Sequence, residues 1–311
     1  MSNQWKFECV VPEELHQCRA DVVLAKLYPM YSRNQWIQWL REGSIVSQDL
    51  PLIPKYKLNG LQVVIGNVNI ETPFIEALPE DIALNIVYED DDILVLNKPS
   101  GLVVHPGSGQ PNQTLMNGLL FHQQSLEILP RAGIVHRLDK DTTGLMVVAK
   151  TPLSYQTLIQ MMQERQIKRH YYALVHGLLR ASGTISTCFG RHPQNRLKMA
   201  VRPTGKTAVT HYRIKQHFRQ NTLLNVALET GRTHQIRVHL NHIGFPIVGD
   251  KLYGKPKAIG KSHITEILNQ FPRQALHAYH LAFMHPISKK PLTFDAVVPD
   301  DFALLLESIE S

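Results

Sequence analysis

One stretch, residues 131–150 (RAGIVHRLDKDTTGLMVVAK), constrains the fold of this chain more than any other. Ile134 and Val135 lead in, and Leu145, Met146, Val147 and Val148 lead out. Both ends are apolar and rich in β-branched residues, and both read as buried strands. Between them sit His136, Arg137, Asp139, Lys140, Asp141, Thr142, Thr143 and Gly144. A polar loop held between buried strands is where a rigid scaffold presents chemistry, although a merely charged turn has the same spacing. Asp139 turns the argument towards chemistry. Arg137 and Lys140 flank it, and nearby cations keep a carboxylate ionised and available as nucleophile or base.

At 311 residues the chain has room for one large domain or two. Its hydrophobic content of 43% suits a globular protein with a real core. No apolar run approaches the roughly 18 residues that span a bilayer, so no membrane association is expected. The first residues, MSNQWKFECVVPEELHQC, lack the basic and apolar regions of a signal peptide. The three cysteines (Cys9, Cys18 and Cys188) form no C-x-x-C pair. They argue against a disulfide framework or Cys-rich zinc site and fit a cytoplasmic protein.

The net charge of +7 is concentrated in one segment. Residues 1–80 carry 7 Lys+Arg against 9 Asp+Glu, and residues 81–130 carry 1 against 6. Residues 131–219 carry 16 against 3, and residues 220–311 carry 9 against 8. The basic field therefore begins with the Asp139 loop. A field of that kind implies a polyanionic partner, most simply nucleic acid, or else a solvated basic face.

Residues 15–66 read as a small module. Helical spacing over 19–27 puts Val23, Leu24 and Leu27 on one face, ending before Pro29. Ser32 is a suitable N-cap for a second helix over 33–42, with Trp36, Ile37 and Leu40 inward and Gly43 as its stop. Short strands follow at 45–46 and 61–65. A linker over 67–81 is marked by Pro73 and Pro79. From residue 82 to the end the pattern mixes strand and helix. Strands are expected at 84–88 and 93–97 around the acidic turn Glu89–Asp92, and a helix over 151–166 starts at Thr151 and Pro152. Its apolar positions Leu153, Thr157, Leu158, Met161 and Met162 read as core.

Three downstream segments add side chains suited to chemistry. In IKRHYYALVHG, residues 167–177, alternation on a strand sends Tyr171 and Tyr172 to opposite faces, so one can line a cleft. In residues 190–214, Arg191, His192, Arg196, Lys198, Arg202 and Lys206 interleave with apolar strand residues, a pattern able to track phosphates. In LETGRTHQIRVHL, residues 228–240, Arg232 and Arg237 stand among histidines. His234, His239 and His242 invite a metal reading, but no Cys lies in that segment to complete a zinc site, so no metal is expected.

Taken together, the YEDDDILVLNKPSGLVVHP stretch, HRLDKDTTGL, the basic-x-Tyr-x-Ala element and LETGRTHQIRVH resemble, in that order, the motifs of the RluA family of pseudouridine synthases. The likeness covers nearly the whole chain. It implies a fold of α+β class: a small N-terminal S-four-type RNA-binding domain, then a catalytic domain on a mixed, mainly antiparallel sheet with flanking helices. YSR opening the second helix and E-G-x-I closing it carry the N-terminal part of the resemblance. Ser44 and Ser47-Gln48-Asp49 depart from the basic residue and Asn-Gly turn often found there. The resemblance implies Asp139 as nucleophile or base and Tyr171 as the tyrosine that stacks on the target base. It implies Arg232 as the arginine paired with Asp139, and a supporting role for Lys98 and Pro99. Arg33, His136, Arg137, Arg191, His192, Arg196 and Lys198 are the candidate RNA contacts.

The implied reaction converts uridine to pseudouridine. It is redox-neutral and needs no activated donor or cofactor, and the chain shows no P-loop or dinucleotide-binding signature. The implied partner is large-subunit ribosomal RNA or its assembly precursor, met by a monomer. Two other classes compete. A non-catalytic RNA-binding protein would leave Asp139 unexplained. A glycosidic hydrolase would normally want two carboxylates, and only Asp139 and Asp141 stand together. A synthase acting on another ribosomal or transfer RNA site is the nearest alternative.

Overall fold

The computed structural model describes residues 3–28, 31, 33–70, 77–107, 109–195, 197–254 and 263–310. The chain divides into two compact units, residues 1–76 and 77–311.

In the first unit, strand β1 (Asn3–Val10) precedes helices α1 (Ala20–Leu27) and α2 (Arg33–Arg41), which are followed by β2 (Ile45–Ser47), β3 (Leu50–Pro51) and β4 (Val63–Ile70). The strands pair antiparallel in the order β1-β4-β2-β3. Two expected boundaries move. The unit's sheet starts before residue 15, because β1 pairs along the full length of β4. The expected linker begins inside β4, at Asn67. Pro29, Ser32 and Pro73 lie outside the described residues. Helix α2 buries Trp36, Trp39 and Leu40, the i, i+3, i+4 stripe of an amphipathic helix. It ends in a Schellman motif: Gly43 adopts φ +73, and the Ser44 and Gly43 N–H groups donate to the Trp39 and Leu40 carbonyls. Trp36 sits at the centre of a ring cluster with Trp5, Phe7, Tyr28, Tyr31 and Trp39.

The second unit is built on one ten-stranded sheet. Its strands are β5 (Ile86–Glu89), β6 (Ile93–Lys98), β7 (Thr143–Ala149), β8 (Lys168–His176), β9 (Gly183–Arg191), β10 (Met199–Val201), β11 (Lys206–His217), β12 (Asn221–Leu228), β13 (Leu276–Met284) and β14 (Pro291–Asp295). The order is β10-β9-β11-β12-β8-β13-β7-β6-β5, with β14 on β13. Helices are α3 (Leu115–His122), α4 (Pro152–Gln163), α5 (Gln235–His242), α6 (His263–Gln270) and α7 (Asp300–Glu310). This mixed α+β architecture is the expected class.

Every residue of β7 is buried, as its uninterrupted apolar run requires when both faces are covered. The lead-in to the Asp139 loop differs from expectation. Ile134 makes one bridge to Val148 rather than a strand, after Arg131 and Ala132 take left-handed φ of 54° and 50°. Helix α4 is capped by Thr151 as expected, and buries Leu158 and Met161 against Ile93, Val95, Leu145 and Val147. Leu153, read as core, is 59% exposed at its first turn.

The seam between β7 and β13 positions the loop. Neighbouring strands run antiparallel except here, where His277 pairs with Thr143 and Ala278 with Gly144 in parallel. Gly144 permits the approach: its φ is +119, and a Cβ would lie 2.2 Å from the Ala278 carbonyl oxygen.

Candidate active site

The Asp139 loop is tied down almost residue by residue. Thr142 N–H donates to the Asp139 carbonyl, closing a turn at 3.0 Å. The Lys98 ammonium is wholly buried and donates to the carbonyls of Pro99 (2.6 Å), Leu102 (2.9 Å) and Lys140 (2.8 Å). Burial pushes its pKa down to about 7, against the pull of the Asp141 and Asp139 charges. Arg273 donates to the Asp141 carbonyl, Gln274 to the Thr142 hydroxyl, and His277 Nδ1 is 2.9 Å from the Thr143 hydroxyl. Side chains from two neighbouring segments thus fix the backbone that carries Asp139.

Asp139 is 14% exposed and borders a cavity of about 580 Å³, within the ~300–1,000 Å³ usual for small-ligand sites. Its Oδ2 accepts from Arg237 Nη1 at 2.9 Å. Arg237 is in turn held by the fully buried Asp250, Nε to Oδ2 at 2.7 Å and Nη2 to Oδ1 at 2.9 Å. Asp250 also accepts the N–H groups of Leu252 and Tyr253, and these bonds with Arg237 hold its carboxyl below the usual range despite burial.

This corrects the expected partner: Arg237, and not Arg232, pairs with Asp139. Arg232 is exposed at the cavity wall, where its Nε donates to the Thr207 carbonyl at 3.4 Å. The physical reason lies in the start of α5. His234 takes a left-handed conformation (φ 58), and the helix that follows turns Arg237 inward, where it is 7% exposed. Both arginines stood in the sequence segment; only the three-dimensional path separates them.

Tyr171 on β8 lines the cavity and is 4% exposed. Burial, and secondarily the Asp139 charge, push its hydroxyl pKa upward. Tyr172 points to the other face, stacked on Tyr279 with centroids 3.9 Å apart and with Lys215 Nζ 3.8 Å from its centroid. Arg137 is exposed at the cavity.

His136, read as an RNA contact, lines the cavity. Its Nε2 accepts the Val147 N–H at 3.1 Å, and burial, with the Arg169 charge, pushes its pKa down to about 3. The neutral ring then carries its proton on Nδ1. Arg33 is also committed elsewhere, donating at 2.6 Å to the buried carboxylate of Asp21, which Arg19 binds as well. On the β9–β10 turn, His192 Nδ1 accepts the Gln194 N–H, and Lys198 Nζ lies 5.9 Å from the Tyr253 ring centroid. Arg191 is exposed, and Arg196 lies outside the described residues.

The sequence reading missed Arg169 as a site residue. It lies two residues before Tyr171, on the same face of β8, lines the cavity and is 7% exposed. Its Nε, like His105 Nδ1 and His136 Nδ1 at the same cavity, is buried without a hydrogen-bond partner. Its signal was the basic position of the basic-x-Tyr-x-Ala element. Met162, read as core, also faces the cavity.

The histidines do not form a metal cluster. Both ring nitrogens of His239 are hydrogen-bonded, to Thr210 and Thr187. The one metal-like group among the described residues is Asp90, Asp92 and His285. There Asp90 already accepts the Asp92 and Ile93 N–H groups and the Tyr88 hydroxyl, and faces His285. That is how the acidic turn is held.

The RNA pseudouridylate synthase family profile matches residues 92–242, the span from β6 to the end of α5. A protein of Xanthomonas campestris pv. campestris named ribosomal large subunit pseudouridine synthase D is 47% identical over 306 residues, 97% of this chain and 92% of its own length. The proteins of that name from Haemophilus influenzae and Vibrio cholerae are 48% and 47% identical, each over 97% of this chain and 94% of its own length. Among solved structures, human RNA pseudouridylate synthase domain containing 4 matches with a TM-score of 0.57 and 25% identity, over 72% of this chain and 92% of that one. Human RNA pseudouridylate synthase domain containing 1 has the same fold, with a TM-score of 0.54 and 22% identity over 75% of this chain and 96% of that one. Near-complete coverage at this identity settles the family: the chain belongs to the RNA pseudouridylate synthases.

Proposed function

We propose that this protein isomerises uridines of large-subunit (23S) ribosomal RNA to pseudouridine, in a hairpin loop and during late subunit assembly. The observation that carries the chemistry is the Asp139 carboxylate, presented to the cavity by an arginine that is itself held by a buried carboxylate. The names of relatives matched over nearly their whole length support the choice of RNA.

The target base leaves its stack to enter the cavity, at a cost of a few kcal/mol that is least in a loop. Arg137, exposed beside Asp139, fills the vacated space or holds the backbone. Asp139 then attacks C1′ of the sugar or removes its C2′ proton. The N1–C1′ bond breaks, the uracil turns, C5 bonds to C1′, and the C5 proton is released. Tyr171 supplies a ring beside the base, and its hydroxyl serves proton transfer. Arg237 keeps Asp139 ionised and directed. Arg191, His192, Arg196, Lys198 and Arg232 hold phosphates.

The protein acts as a cytoplasmic monomer without membrane attachment or cofactor. No helix among the described residues is long and apolar enough to cross a membrane. Incubation with ribosomal RNA transcript tritiated at uridine C5 tests the chemistry, since isomerisation must release that tritium. No release from any large-subunit transcript would overturn the reading. Carbodiimide-based primer extension in a deletion strain identifies the uridines.

A further inference from the structure

We infer that Tyr253 and His234 form a positioning relay that ties the β9–β10 hairpin to the Asp139 carboxylate. The inference rests on the proposed reading of Asp139 as the reactive group.

Tyr253 lies in the turn that Asp250 pins through the Leu252 and Tyr253 N–H groups. Its hydroxyl oxygen accepts the N–H of Met199, the first residue of β10, at 2.8 Å. The same oxygen is 2.8 Å from His234 Nδ1. A phenol has a single proton, and with the Met199 N–H already donating, that proton goes to Nδ1. A neutral His234 accepting at Nδ1 carries its own proton on Nε2. Nε2 faces Asp139 Oδ1 at 3.8 Å. The hydroxyl of Tyr253 therefore dictates which nitrogen of His234 presents a proton to the reactive carboxylate.

The two oxygens of Asp139 are thereby made unequal. Oδ2 is bound by the permanent charge of Arg237, whereas Oδ1 faces a neutral donor beyond direct hydrogen-bond distance. Oδ1 is left free to react. A neutral N–H can follow the charge as it leaves the carboxylate, without cancelling it beforehand as an imidazolium would. Burial favours the neutral ring. The charged and titratable groups facing His234 are Asp139 and Arg137 on the catalytic loop, Arg237 on α5, and Asp250 and Tyr253 on the turn. The Tyr253 ring also lies 5.1 Å from the Arg237 guanidinium carbon. One side chain thus touches both partners of Asp139 and the backbone of a hairpin whose basic residues are proposed to meet RNA.

A purely space-filling Tyr253 is the competing explanation, and Tyr253→Phe separates the two because it keeps the ring and removes the proton. The full-length protein is assayed by single-turnover tritium release between pH 5.5 and 8.5, with RNA affinity measured by filter binding. The relay requires Tyr253→Phe to bind RNA within about twofold of wild type while its rate falls by 10-fold to about 100-fold, the scale of a misplaced reacting group. It also requires the loss to deepen at the acid end, as Nδ1 becomes free to take a proton. His234→Gln, which retains a neutral donor near the Nε2 position, should recover much of the rate that His234→Ala loses, and without the acid limb. A Tyr253→Phe enzyme with wild-type rate and pH profile overturns the inference. So does one that loses RNA affinity alone, or a His234→Gln no better than His234→Ala. Histidine ¹⁵N spectra give a readout independent of turnover, with the His234 signals assigned by their absence in His234→Gln. A proton on Nε2 in wild type that redistributes in Tyr253→Phe supports the relay, and an unchanged tautomer overturns it. A wild type with that tautomer but no tritium release would fault the proposed reaction instead.

Discussion

Arg237 is bound twice by Asp250, at 2.7 and 2.9 Å, on the far side from its single 2.9 Å bond to Asp139. A guanidinium fixed this way cannot swing with the substrate; it is a rigid anchor that directs one carboxylate oxygen.

The first prediction separates the two arginines of the segment. Arg237→Gln should abolish tritium release and destabilise the protein by about 3–5 kcal/mol, because it leaves the buried Asp250 charge unpaired. Arg237→Lys should fail too, since an ammonium cannot make the two-pronged contact. Arg232→Gln should unfold at the same denaturant concentration as wild type and lose mainly RNA affinity. An inactive Arg232→Gln with normal affinity beside a working Arg237→Gln would reverse the assignment.

The second concerns the reacting groups. Asp139→Asn keeps shape and removes charge, so a folded, RNA-binding protein with under about 1% of wild-type turnover is expected. Faster turnover would count against Asp139 as nucleophile or base. Tyr171→Phe should still bind RNA, with product formation falling sharply; an unchanged rate would leave the ring as its only contribution.

Much of this site was legible because its signals are local. Residues 136–149 carry the turn, the carboxylate and the apolar run of β7 in one unbroken stretch. The alternation that sends Tyr171 and Tyr172 to opposite faces is a property of any strand. What escaped was set by the path of the chain. Arg232 and Arg237 are five residues apart, and the choice between them depends on the left-handed His234 and the helix after it. Strand β1 was missed although residues 4–9 alternate polar and apolar as a half-buried strand does; its partner β4 lies some sixty residues away, so nothing nearby in sequence marks the pairing. His136 and Arg33, read as RNA contacts, carry partners that the sequence does not show: His136 accepts the Val147 N–H, and the exposed Arg33 donates to the buried Asp21.

Lys98 yields the third prediction. A buried lysine is usually a stability loss that an apolar residue recovers. Here three carbonyls depend on its ammonium, so Lys98→Met should instead cost about 3 kcal/mol or more by urea denaturation, and reduce activity by loosening the loop at Lys140. A Lys98→Met protein as stable as wild type would show that water replaces the ammonium without loss.

The fourth concerns acid stability of the first unit. Arg19 and Arg33 hold the Asp21 carboxyl below its ordinary value of 3.8 even though burial opposes them. The unfolded chain then binds more protons than the folded one as pH falls through 3.8, so stability present above that value is lost below it. Asp21→Asn should be less stable than wild type near neutral pH, with the gap closing as pH drops towards 3, as followed by tryptophan fluorescence of the Trp36 cluster. A gap independent of pH would assign the effect to packing alone.

The last prediction locates RNA affinity, where charge and family analogy disagree. Analogy gives RNA capture to the N-terminal module, yet residues 1–80 carry 7 Lys+Arg against 9 Asp+Glu, while residues 131–219 carry 16 against 3. Arg19 and Arg33 are further committed to Asp21. The logarithm of RNA affinity falls with log salt in proportion to the number of phosphates neutralised, at about 0.7–0.9 per contact. Removing residues 1–76, which form a compact unit of their own, should therefore leave most non-specific affinity and most of the salt slope. It should instead impair the choice of hairpin or docking on the assembling subunit. Charge reversal at Arg191, Arg196 and Lys198 should flatten the slope by roughly 2–3 units, because it removes about three phosphate contacts. Filter binding of both variants from low to moderate salt decides between them. A truncation that loses the slope beside a triple reversal that keeps it would make the N-terminal unit the clamp and the basic hairpin a bystander.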